Sequence, residues 1–121
     1  MGVSEYREVI RQLAPPTKAL RAASPDVWAG FAALNQAAVA DGVVPARIKG
    51  LVALAIAVVK ECDGCIAYHA RGAARQGATE EELAEILGVA LLMDGGPATV
   101  YGPRAWEAFH QFVPAVAGVD G

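Results

Sequence analysis

The sequence predicts an all-α, single-domain protein spanning residues 1–121, folded as a bundle of about six helices. Three observations support this prediction. The length fits one domain, the breaks in the apolar pattern resemble helix caps, and no segment shows the period of two that strands require. With 55% apolar and only 19% charged residues, the chain has the composition of a protein that buries a core.

The predicted helices are separated by short connections that carry recognisable start and stop residues. Ser24-Pro25-Asp26 reads as an N-cap followed by a first-turn proline, and Asp41-Gly42 is expected to end that helix in a left-handed glycine. Thr79-Glu80-Glu81-Glu82 has the pattern of a capping box. Gly102-Pro103 predicts a kink or interruption in the last helix. The predicted helical ranges are 4–13, 24–40, 45–59, 62–76, 79–93 and 98–113, with a loose tail over 114–121.

The segment Leu51–Val59 is apolar on every face of its predicted helix. A domain of this size has too little interior to surround such a helix, so we expect a neighbouring subunit to cover its remaining face. The run is about half as long as a bilayer crossing requires, and the N-terminus lacks the apolar run of a signal peptide. The net charge is −3 with no basic patch. We therefore expect a soluble, cytoplasmic protein whose partners include neither membrane nor nucleic acid.

Cys62, Cys65 and His69 form the segment most typical of a reactive site. A helix that starts near Cys62 places all three along one stripe, because they are spaced by three and four residues. Free amides and the positive end of the helix dipole stabilise a thiolate in the first turn, and an imidazole one turn further on can accept a proton. The two-residue spacer also allows a disulfide between the cysteines. The pattern predicts thiol redox chemistry with no cofactor.

Two other interpretations of the same residues stay open at this point. The two cysteines and His69 could supply three ligands to zinc, although a structural zinc site needs four, and the only other histidine, His110, lies in the last predicted helix. The cysteines could also be small buried apolar residues without chemistry. Tyr68 lies about 100° away from the stripe and is expected either to pack in the core or to line a pocket.

A longer ordered pattern surrounds this motif. It consists of Lys49-Gly-Leu-Val-Ala-Leu-Ala-Ile-Ala-Val, Cys62-Asp-Gly-Cys-Ile-Ala-Tyr-His-Ala-Arg-Gly-Ala, Gln76-Gly-Ala-Thr-Glu-Glu-Glu-Leu-Ala-Glu-Ile and Met93-Asp-Gly-Gly-Pro-Ala. This pattern, within residues 49–101, resembles the core of the carboxymuconolactone decarboxylase superfamily, and in particular its alkylhydroperoxidase D-like branch. The resemblance implies a helical homotrimer or homohexamer that reduces hydroperoxides and is recharged by a dithiol, either a lipoyl domain or a thioredoxin-like protein.

The resemblance also implies a role for each site residue. Cys65 would attack the peroxide, Cys62 would resolve the resulting sulfenic acid, and His69 would assist proton transfer. The family's relay glutamate falls at Gly50, so weak turnover is expected, and Gly50→Glu is expected to raise it. Glu61 is either a substitute acid or base, or a solvated residue in a turn.

Two alternative functions remain open. The chain could be a weak or inactive family member that acts as an oligomeric scaffold or partner-binding module, which the glycine at position 50 favours. It could also be a lyase of the carboxymuconolactone decarboxylase type, for which only membership of the superfamily argues.

Overall fold

The described part of the chain folds as six α-helices, as predicted. The computed structural model describes residues 5–116, with side chains as far as residue 113, and every regular element in that range is helical. Of the described helices, none combines the length and the apolar character needed to cross a membrane. The helices are α1 (Tyr6–Ala23), α2 (Pro25–Val39), α3 (Ala46–Val59), α4 (Asp63–Arg75), α5 (Glu80–Asp94) and α6 (Ala98–Val116).

Helix α4 lies at the centre of the bundle, where it packs most extensively against α3 and α6 and also against α1. Its buried face consists of one isoleucine and four alanines, and small side chains allow neighbouring helix backbones to approach closely. The buried residues of α4 are Ile66, Ala67, Ala70, Ala73 and Ala74. Larger buried side chains from the neighbouring helices, among them Leu51, Leu54 and Phe109, complete the core.

Gly50 lies where α3 and α4 approach closely. A Cβ atom built on this glycine would lie 3.2 Å from the Cα atom of Ala73, which is itself fully buried. Glycine therefore suits the helix packing here, since a side chain at position 50 would require the backbone of the central helix to shift by a few tenths of an ångström.

Helix α1 is longer than predicted. It does not end near residue 13 but continues to Ala23 with Pro15 and Pro16 inside it. Each proline removes a backbone donor and disfavours a helix interior. The following segment Lys18–Ala23 is rich in Ala, Leu, Lys and Arg, which are strong helix formers and favour continuation of the helix past the prolines.

Two of the predicted caps act differently from expectation. The Ser24 side chain does not cap α2. Instead, the Ser24 N–H donates to Leu20 O at 3.0 Å and closes α1. Gly42 is not left-handed, because Ala40 already turns the chain out of α2 in an extended conformation. The carboxylate of Asp41 caps the next helix, accepting from Ala46 N–H at 2.7 Å.

The remaining boundaries agree more closely with the sequence. The capping box of Thr79 and Glu82 is present at the start of α5. Helix α6 is not interrupted at Gly102-Pro103 and runs on through residues 114–116, which were expected to be tail. Residues 117–121 of the predicted tail lie outside the described range.

Two apolar stripes lie on the surface of the single chain. Helix α2 has no buried residue, and its Val27, Phe31 and Leu34 are more than 60% exposed. Helix α3 also exposes Val52, Ile56 and Val59, although its opposite face is buried in the core. Within each helix these residues recur at positions i, i+4 and i+7, so each set forms a continuous stripe.

Gly50 and Gly88 provide a matched pair that tests the packing of α3 on α4. Gly88 lies inside α5, and a Cβ atom added to it would meet no atom within 4 Å. Gly88→Ala is therefore expected to raise the free energy of unfolding by about 0.5–1 kcal/mol, because alanine restricts the unfolded chain. Gly50→Ala should lower it, because the added methyl group crowds the backbone of the fully buried Ala73. Urea unfolding of both variants makes the comparison, and equal gains in stability would contradict the close approach.

Candidate active site

Cys62 and Cys65 lie at the start of α4. Cys62 is the N-cap residue, and its sulfur accepts a hydrogen bond from Cys65 N–H at 3.2 Å. The two sulfurs lie at disulfide distance, and the Cα atoms are 5.2 Å apart, inside the usual range for disulfides. The predicted helix start and the predicted pairing of the cysteines are thus both present in the structure.

A sharp turn from α3 places Cys62 in this position. Glu61 has a φ of 55°, which makes it the one non-glycine residue with positive φ in residues 5–116. The left-handed region is unfavourable for a side chain such as glutamate, and such strain is found preferentially at functional sites. The Cys62 N–H donates to Ala57 O at 3.2 Å and ties the turn to the end of α3. Glu61 itself is exposed.

His69 lies one helical turn beyond Cys65 and is half-buried. Side chains four residues apart are neighbours on a helix surface, so the imidazole is within reach of the Cys65 thiol. Burial lowers the pKa of His69 below its ordinary value, and the ring is therefore neutral at pH 7. A neutral imidazole can accept a proton, which is the role expected of a general base.

A cleft of about 600 Å³ opens beside these residues, between α1, α2, α3 and α4. Cys65 and His69 line it, whereas Cys62 lies outside its lining. Tyr68 also lines the cleft, so the pocket-lining interpretation of this residue is correct and the core-packing one is wrong. The volume of the cleft is typical of sites that bind small organic molecules. The cleft therefore gives a ligand access to one cysteine of the pair.

No carboxylate lines this cleft in the part of the chain that the structure describes. Gly50 does lie in its wall, at the position that the resemblance assigns to the relay glutamate. A glutamate there would place its Cβ 3.2 Å from Ala73 Cα. Gly50→Glu would thus crowd helix α4 while adding an acid to the cleft, so the expected gain in turnover stays a prediction and comes with a cost in helix packing.

Asp63 forms a polar network that the sequence did not indicate. Its carboxylate accepts from the Tyr6 hydroxyl at 3.0 Å and from Arg104 Nη1 at 3.1 Å. Burial, together with the hydrogen bond to Asp63, raises the pKa of Tyr6, so the phenol stays protonated and donates. The guanidinium of Arg104 also lies 4.5 Å from the centre of the Tyr101 ring.

This network connects the first residue of α4 to α1 and α6. A negative charge at this position also interacts favourably with the helix dipole. The sequence offered one indication of a role for Asp63, since an acidic residue directly follows the predicted N-cap of this helix. Its partners are 57 and 41 residues distant in the chain, so no local pattern could identify them.

The zinc interpretation requires several metal-binding side chains to lie together. Across the described side chains, no three His, Cys, Asp or Glu residues are grouped as ligands for a metal ion. His110 lies away from the cleft, where its Nε2 hydrogen-bonds Glu80 at 2.7 Å and its Nδ1 hydrogen-bonds Trp106 O at 2.8 Å.

Comparison with known proteins agrees with this fold. The family model described as "Carboxymuconolactone decarboxylase family" matches residues 25–112. An uncharacterized protein of Cupriavidus necator is 42% identical over 75% of this chain and 80% of its own length. "Uncharacterized protein 4 in cox locus" of Paracoccus denitrificans is 41% identical over 62% of this chain and 68% of its own length.

A solved structure extends the similarity to three dimensions. The crystal structure of an apo carboxymuconolactone decarboxylase family protein from Legionella pneumophila superimposes with a TM-score of 0.86 at 38% identity. The similarity covers 89% of this chain and 96% of that one. The match of the family model over most of the sequence and the matching fold lead to one conclusion: the chain belongs to the carboxymuconolactone decarboxylase family.

Proposed function

We propose that the chain is a thiol-dependent hydroperoxide reductase in which Cys62 and Cys65 alternate between dithiol and disulfide. The observation that carries the proposal is the position of the pair. The two sulfurs lie at disulfide distance at the N-terminus of α4. Of the two cysteines, only Cys65 lines the cleft, which is large enough for an organic molecule. A cleft-facing thiol beside a neutral histidine has the geometry of an activated nucleophile.

In the first step, His69 accepts the proton of the Cys65 thiol. The thiolate sulfur attacks the terminal oxygen of the hydroperoxide, and the O–O bond breaks. The leaving alkoxide takes the proton from the His69 imidazolium and departs as an alcohol. Cys65 is oxidised by two electrons to the sulfenic acid.

In the second step, the thiolate of Cys62 attacks the Cys65 sulfur. The S–S bond forms, the S–O bond breaks, and the hydroxide leaves as water with the proton of the Cys62 thiol. The hydrogen bond that Cys62 Sγ accepts from Cys65 N–H favours the thiolate form of Cys62. An external dithiol, from a lipoyl domain or a thioredoxin-like protein, then reduces the disulfide by exchange, so that each turnover consumes one hydroperoxide and one dithiol.

A second candidate function has its own support. No carboxylate of the described chain lines the cleft, so proton transfer depends on His69 without an acidic partner. The apolar stripes on α2 and α3 also need a partner to cover them. The second candidate is therefore a slow enzyme whose assembled helices serve mainly as a scaffold.

The two stripes also support self-association. We expect copies of this chain to cover them, forming the trimer or hexamer that the resemblance implies. Light scattering at micromolar concentration measures the mass directly, and a stable species of 12.5 kDa would contradict self-association.

Thiol counting tests the reductase proposal. The reduced wild-type protein should lose both thiols of each chain on addition of one equivalent of organic hydroperoxide, because each turnover forms one disulfide. Cys65→Ser should leave its remaining thiol unreacted over the same time, whereas Cys62→Ser should still consume peroxide once. A thiol count that does not respond to peroxide would favour the scaffold function.

The pH dependence tests the role of His69. The base form of an imidazole with a lowered pKa persists below pH 6.5, so the rate of thiol oxidation should hold through pH 6.5 and fall only at a lower pH. His69→Ala should reduce the neutral-pH rate by about 10²- to 10⁴-fold. His110→Ala is the matched control, because the second histidine lies outside the cleft. Equal rates for the wild type and His69→Ala would exclude proton transfer by this residue.

A further inference from the structure

The cleft beside Cys65 carries positive charge that no described carboxylate balances. The protein has seven arginines, and four of them form ion pairs with acidic side chains elsewhere. The three without a carboxylate partner among the described residues are Arg21, Arg71 and Arg75, and all three line the cleft. Because no described acid lines it, the cleft favours an anionic ligand.

Two of these charges lie close to one another on α4. Arg71 and Arg75 are one helical turn apart, and the Arg71 guanidinium lies 5.4 Å from the centre of the Tyr68 ring. Burial and the charge of Arg75 lower the pKa of Arg71. Like charges at this spacing repel. A bound anion would remove that repulsion, and the planar guanidinium groups are well shaped to hold a carboxylate.

Outside Arg21, the wall that α1 and α2 contribute to the cleft is mainly apolar. Leu13, Trp28, Phe31 and Val39 line it together with the polar Thr17 and Asn35. The apolar side chains suit a hydrocarbon rather than a polar ligand. A molecule with an apolar chain and one anionic end would therefore match both parts of the cleft.

The helix sets the spacing between the charged and reactive ends. Arg71 and Arg75 are six and ten residues beyond Cys65, which corresponds to about 9 and 15 Å along the α4 axis. These are separations of backbone positions along the axis, and the Arg71 guanidinium reaches the ring of Tyr68, which lies nearer to Cys65. An aliphatic chain can join a carboxylate held by the arginines to a group at the Cys65 sulfur, whereas hydrogen peroxide has no anionic group for the arginines to hold.

We propose that the cleft is an anion-selective substrate site that binds long-chain hydroperoxides bearing a carboxylate. The carboxylate is held by Arg71 and Arg75, with Arg21 contributing from α1, and the hydroperoxide group is directed to Cys65. This proposal rests on the reductase function. The carboxylate takes no part in the redox step, which remains the attack of Cys65 on the terminal peroxide oxygen.

A matched pair of substrates tests this selectivity. The rate constant for thiol oxidation is measured with linoleic acid hydroperoxide and with its methyl ester, both below their micelle-forming concentrations. The wild type should react about tenfold faster with the acid, since tenfold corresponds to one modest charge interaction. The double variant Arg71→Gln/Arg75→Gln should lose most of this preference. Arg11→Gln, which removes an exposed arginine paired with Glu8 outside the cleft, should keep it.

These rate measurements distinguish a failure of the anion site from a failure of the reductase function. Equal rates for acid and ester in the wild type, or a preference that survives in the double variant, would overturn the anion site while leaving the reductase function standing. If neither hydroperoxide oxidises the thiols, the reductase function fails. Calorimetric titration with unoxidised linoleate then decides about the site: tighter binding to the wild type than to the double variant supports it, and equal or absent binding overturns it.

Discussion

The close packing of α3 on α4 is the constraint on which the arrangement of the site depends. Gly50 and Ala73 meet so closely that a Cβ atom on the glycine would crowd the backbone of α4. This contact fixes the central helix, and the central helix carries both cysteines and His69. It also crowds the Cβ atom that a relay glutamate at position 50 would carry. One glycine thus accounts for both the tight packing and the absence of an acid at this position.

The start of α4 is fixed from other directions as well. Tyr6 from α1 and Arg104 from α6 both donate to Asp63, which lies between the two cysteines. The strained Glu61 turn brings the chain from α3 to Cys62. The dithiol therefore lies on a rigid support, as sites that require accurate geometry generally do. The reactivity that we propose for it rests on this position, because amides at the helix start stabilise charge on sulfur.

The sequence predicted most of what depends on neighbouring residues. The capping box at Thr79, the start of α4 at Cys62 and the stripe of thiols and imidazole follow from short-range spacing. Features that depend on tertiary contacts were wrong or missed. The continuation of α1 through Pro15 and Pro16 was missed for a local reason, because strong helix formers follow the two prolines. The hydrogen-bond partners of Asp63 were also missed, and so was the grouping of three arginines in the cleft. Both depend on helices that are distant in the sequence and adjacent in the fold.

The central claim is that Cys65 is the cysteine that attacks peroxide, because it alone of the pair lines the cleft. Trapping of the sulfenic acid with dimedone, followed by peptide mass spectrometry, tests this claim most directly. Peroxide-treated Cys62→Ser should carry the dimedone adduct on Cys65, and Cys65→Ser should carry none on Cys62. An adduct on Cys62, or no adduct in either variant, would contradict the account.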